Sequence, residues 1–90
     1  MTTANQIMTR EELHSILWDI AAEHAGQDRE QLTPQARLNH DLGADSLTLT
    51  ELTLALEERL EVTMPEELLD NPDLTLGQIE DALWTQSERR

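Results

Sequence analysis

The chain has 90 residues, no cysteine, and six basic against nineteen acidic side chains, for a net charge of −13. A chain this short holds one small domain with a marginal core, and without cysteine it has neither a disulfide framework nor a thiolate metal site. The acidic balance argues against nucleic acid and anionic membranes as partners and suits basic surfaces, although it serves solubility equally well.

Residues 1–8 read as a disordered tail, lacking the basic start and apolar run of a signal peptide. No apolar stretch approaches the ~20 residues of a membrane span, so a soluble, cytoplasmic protein is expected. Thr9 with Glu12 forms a capping-box pattern and opens the first helix. Leu13, Ile16, Leu17, Ile20, Ala21 and His24 follow at helical spacing as its buried face, with Trp18 just off the stripe. Gly26 ends it.

A long connection follows, from Gln27 to Ala44. Thr33-Pro34 and Gly43 make it a poor helix, while Leu32, Ala36, Leu38 and Leu42 pin it to the core as a structured loop. A second helix is expected from Ser46 to Leu60 or Glu61. Pro65 suits the start of a short third helix. Thr75 with Gln78 is a second capping box, opening a last helix whose apolar face is Leu76, Ile79, Ala82 and Leu83. Strand signals are missing. The expected fold is all-α: an antiparallel bundle of three main helices and one short one, spanning 9–86, with 87–90 as a frayed end.

The second helix has two apolar sides. Leu49, Leu52, Leu56 and Leu60 share one arc, with Thr53 at its edge, and form the core face. Leu47 and Leu54 lie opposite, beside Glu51 and Glu58, where water is expected. An apolar spot with an acidic rim fits a basic partner with an apolar cleft, although single exposed leucines are also ordinary surface.

Ser46 sits in Asp41-Leu42-Gly43-Ala44-Asp45-Ser46-Leu47, at the start of that helix. Backbone N–H groups and the positive end of the helix dipole make its surroundings suitable for a phosphate. A serine there can equally be a helix cap, a role Asp45 could share. No Gly-x-Ser-x-Gly elbow accompanies it, and no base with an orienting partner is evident, so catalysis by the chain is not expected. His14, His24 and His40 lack paired spacing and no calcium-loop pattern occurs, so no dedicated metal site is expected.

Taken together, these residues resemble the acyl carrier protein family. The segment Asp41–Leu47 looks like its attachment motif. Glu51-Leu52, Ala55-Leu56-Glu57-Glu58 and Met64-Pro65-Glu66-Glu67 are similar to its second helix and the turn beyond. Leu32-Thr33-Pro34 with Leu38 resembles its long loop, and Leu74-Thr75-Leu76 the start of its last helix. The resemblance implies a non-enzymatic, monomeric carrier. A phosphopantetheinyl transferase would use coenzyme A to attach phosphopantetheine to Ser46, between Asp45 and Leu47. Acyl groups would ride as thioesters on that arm.

The resemblance also implies partners with basic docking surfaces: acyl-transferring and acyl-elongating enzymes, or a dedicated ligase or synthase. They would meet Leu47, Glu51, Leu54 and Glu58. Leu56, Leu60, Met64 and Ile79 are candidates to line an acyl chain, and equally plain core. Thr48, Thr50, Thr53, Arg59 and Leu60 depart from the commonest family pattern. A fatty-acid or related lipid carrier leads; a carrier of polyketide, peptide or aminoacyl intermediates is the alternative, and an unmodified interaction domain a third reading.

Overall fold

The computed structural model describes residues 9–88, with side chains described through Gln86. The expected N-terminal tail and the two terminal arginines lie outside the described residues. The described residues form four helices, α1 (Arg10–Ala25), α2 (Ser46–Leu60), α3 (Glu66–Leu69) and α4 (Leu76–Glu88), with a 3-10 turn at Arg29–Gln31. No strand occurs among the described residues, only an isolated bridge between Arg37 and Thr75. α1 packs against both α2 and α4.

Local chemistry sets the helix ends. Thr9 Oγ1 accepts from the Glu12 N–H at 3.1 Å while the Glu12 carboxylate accepts from the Thr9 N–H at 3.0 Å, so two orphan donors are satisfied reciprocally. The same exchange joins Thr75 and Gln78 ahead of α4. Gly26, in the left-handed region, caps α1. Pro65 stands at the cap position of α3 rather than inside it. α4 continues through Glu88, past residue 87 where fraying was expected.

One buried cluster unites the helices, with Leu17, Leu56, Leu76, Ile79 and Leu83 wholly inaccessible. Burying such side chains contributes about 1.5–3 kcal/mol each relative to leaving them exposed. Two expectations need correction. Trp18 does not flank the core but belongs to it, because its indole N–H donates to the Leu32 carbonyl at 3.3 Å and the loop closes over it. Ile16 and His24 are only partly covered, as are Leu49 and Leu60 on α2.

The long loop is anchored as its leucines imply: Leu32, Ala36, Leu38 and Leu42 are all buried. Its backbone also pairs with the approach to α4. The Leu38 N–H donates to the Leu74 carbonyl (2.9 Å), the Leu76 N–H to Ala36 (3.1 Å) and the Gly77 N–H to Pro34 (2.9 Å). A Cβ at position 77 would stand 3.1 Å from the Pro34 carbonyl oxygen, so a side chain there would press on the loop backbone.

On the far side of α1, Glu80 is buried. Its carboxylate takes the Arg10 Nε (2.6 Å) and pairs with His14 Nδ1 (2.7 Å). Arg10 also reaches Asp81 (2.6 Å) and lies over the Trp84 ring, and His14 stacks on Trp18. These two carboxylates raise the Arg10 pKa, mainly through the hydrogen bond to Glu80. α1 and α4 are thereby tied by groups 70 residues apart in sequence.

Candidate functional site

The turn before α2 is built to present residue 46. The Asp41 carboxylate accepts from the Arg37 N–H at 2.8 Å, and the Ala44 N–H donates to the Leu38 carbonyl at 2.8 Å. Leu42 and Ala44 are buried and hold the turn to the core. Between them Gly43 takes φ 69°, a left-handed conformation that a side chain would strain. Asp45 then caps the helix, its Oδ1 accepting from the Thr48 N–H at 2.9 Å. Ser46 is therefore the first helical residue and not the cap.

Because Asp45 performs the capping, the Ser46 hydroxyl is left over. It is exposed and makes no hydrogen bond among the described residues. It stands at the positive end of a fifteen-residue helix, where an anion is favoured by the dipole and by amide N–H groups. The Asp45 carboxyl is held below its ordinary value, first by the Thr48 N–H; the Asp41 carboxyl is held down likewise by the Arg37 N–H.

Among the described residues, Leu47 and Leu54 are the exposed large hydrophobic ones, at 66% and 52%. Glu51 and Glu58 are exposed on the same helix. Glu57 is not part of that rim: its Oε2 accepts from the Met64 N–H at 2.8 Å and fastens the turn after α2.

A cleft of about 390 Å³ opens directly beside Ser46. Its walls come from α2 (Ser46, Leu49, Thr50, Thr53), from the long loop (Leu38, Asn39) and from the end of α3 and the turn beyond (Leu69, Asp70, Asn71, Pro72, Leu74). Leu56, Leu60, Met64 and Ile79, the sequence candidates for an apolar lining, are not among its walls. Leu56, Met64 and Ile79 are packed in the core, and Leu60 is partly buried against it. Thr50 and Thr53 could have been found from sequence, since they lie four and seven residues after Ser46 on one helix face. Asn39 and Asp70 carry no such signal.

A family model described as "Phosphopantetheine attachment site" matches residues 15–83. The acyl carrier protein of Syntrophobacter fumaroxidans is 51% identical over 49 residues, covering 54% of this chain and 60% of that protein. That of Cyanidioschyzon merolae is 39% identical over 59 residues, covering 66% and 65%. That of Rubrobacter xylanophilus is 42% identical over 60 residues, covering 67% and 74%. The match thus spans less than two thirds of the first two relatives. The chain belongs to the phosphopantetheine attachment-site family, whose covalent cofactor is phosphopantetheine. The local residues fit that group: an exposed, unpartnered hydroxyl at a helix start, with room alongside. No helix among the described residues is long and apolar enough to cross a membrane.

Proposed function

We propose that this protein carries acyl intermediates as thioesters on phosphopantetheine joined to Ser46, in fatty-acid or related lipid synthesis. The observation that carries the reading is the free, exposed Ser46 hydroxyl at the capped start of α2. The chain has three serines, Ser15, Ser46 and Ser87. Ser87 lies beyond the matched segment 15–83. Ser15 lies within α1 with its hydroxyl oxygen accepting from Arg29 at 2.9 Å.

The chain's own part in the chemistry is positional. Asp45 and Gly43 hold the hydroxyl outward, and the helix start favours the negative charge of a phosphodiester. When bound, the group supplies the terminal thiol on which an acyl chain rides, which accounts for a carrier without cysteine. Leu47, Glu51, Leu54 and Glu58 offer a face for a transferase and for acyl-handling enzymes whose surfaces are basic. A cytoplasmic, monomeric carrier is part of the same reading.

The test is intact-protein mass spectrometry after incubation with coenzyme A, magnesium and a broad-specificity phosphopantetheinyl transferase. One phosphopantetheine is expected on the wild type and none on Ser46→Ala, with helical circular dichroism equal for both. Addition to the variant would move the attachment elsewhere.

A further inference from the structure

The cleft beside Ser46 is not a hydrocarbon slot. Its leucine walls are interrupted by Thr50, Thr53, Asn39 and Asp70, and no lysine, arginine or histidine lines it. The two threonines have already committed their hydroxyl hydrogens. Thr50 Oγ1 donates to the Ser46 carbonyl and Thr53 Oγ1 to the Thr50 carbonyl, each at 2.9 Å. What they offer a guest is lone pairs, and the Asp70 carboxylate, when ionised, offers the same. Asn39 gives one amide N–H to the Pro72 carbonyl and keeps the other. The cleft thus offers oxygen acceptors from Thr50, Thr53 and Asp70, beside amide N–H groups of Asn39 and of Asn71, whose Oδ1 accepts from the Asp73 N–H.

A saturated chain laid there would desolvate those oxygens without replacing their hydrogen bonds, which is unfavourable. Nor does the space continue inward: Leu56 and Ile79 are wholly inaccessible, so a long chain would have to displace packed core.

We propose that this cleft selects short acyl groups bearing a hydroxyl close to the thioester over saturated chains of equal or greater length, with Thr50 and Thr53 as the specificity-determining residues. This rests on the carrier reading above. The guest's O–H would donate to a threonine oxygen, and the short alkyl remainder would meet the leucines.

The experiment loads the full chain with β-hydroxybutyryl, butyryl or octanoyl phosphopantetheine from the matching acyl coenzyme A, checked by mass spectrometry. Thioester hydrolysis in mildly alkaline buffer is then measured for each, relative to the same thioester on free pantetheine, with the thermal midpoint of each loaded form. Protection of β-hydroxybutyryl should exceed that of butyryl by about fivefold, the effect of one net hydrogen bond, and its thermal midpoint should be the highest. Thr50→Val with Thr53→Val should erase the difference. Thr50→Val alone, at an exposed position, should narrow it with the fold unaltered. Equal protection of the two four-carbon groups, as when the acceptors serve only the arm, overturns the inference, and so does greatest protection of octanoyl. Failure to load at all overturns the carrier reading and the inference with it; loading without discrimination overturns the inference alone.

Discussion

The two sides of α1 are held together by different means. Toward α4, a buried carboxylate gathers Arg10 and His14, and both tryptophan rings are in contact with that pair. Toward α2, no ion pair among the described residues involves any residue of Ser46–Leu60, and the side-chain hydrogen bonds of that helix are local. Apolar contact alone seats α2, and a cleft remains on its loop side. Directional bonds fix one geometry, whereas apolar contact is non-directional. The chain therefore keeps its rigid ties away from the helix that presents Ser46.

The largest effect should come from comparing leucines on the two sides of α2. Leu56→Ala removes a wholly buried side chain and should cost about 2–5 kcal/mol in denaturant unfolding. Leu54→Ala, at 52% exposure, should stay within about 0.5 kcal/mol. Equal losses would mean that α2 has no outer face. Next in size is Glu80→Gln, which should cost about 1–2 kcal/mol, discounted because Arg10 and His14 are partly exposed. Its loading by the transferase should be unchanged, since the tie lies on the other side of α1.

A smaller effect should follow from pH. Asp45 and Asp41 have folded values below the ordinary 3.8, so their stabilisation is complete above that value and disappears as pH falls through the folded values. Asp45→Asn should flatten the acid limb of the stability profile yet leave neutral-pH stability nearly intact, because asparagine caps as well as aspartate. The smallest structural effect should come from Glu51→Lys and Leu54→Asp. Both should leave the unfolding midpoint in place while slowing modification by the transferase; unchanged kinetics in both would make this face ordinary surface.

Much of this architecture was legible because it is local. The Thr9 and Thr75 boxes, the Gly26 stop and the span of α2 follow from residues within four positions of one another, and a capping box needs no tertiary partner. The exposure of Leu47 and Leu54 followed from helical period alone. What escaped is non-local. Helical spacing set Trp18 aside because it cannot see the loop carbonyl of Leu32 arriving from fourteen residues away. Glu80 carries no signal within its own segment, because its partner Arg10 lies at the other end of the chain. The pairing of Pro34 with Gly77 is carried by backbone atoms, which leave no mark on side-chain pattern. At the site, Ser46 could be placed from the motif, but the cleft beside it draws on three separate segments and could not.

The indoles of Trp18 and Trp84 have an optical consequence. The chain contains two tryptophans and neither tyrosine nor phenylalanine, so near-ultraviolet absorption and intrinsic emission arise from those rings alone. Both report from the α1–α4 side: one sealed beneath the loop and stacked on an imidazole, the other half-covered under a guanidinium. Fluorescence is thus a selective window, bright on the half that is bolted and dark on the half that is not. A spectral change on loading Ser46 would mean that the event had been felt across α1; silence would mean that α2 absorbs it alone.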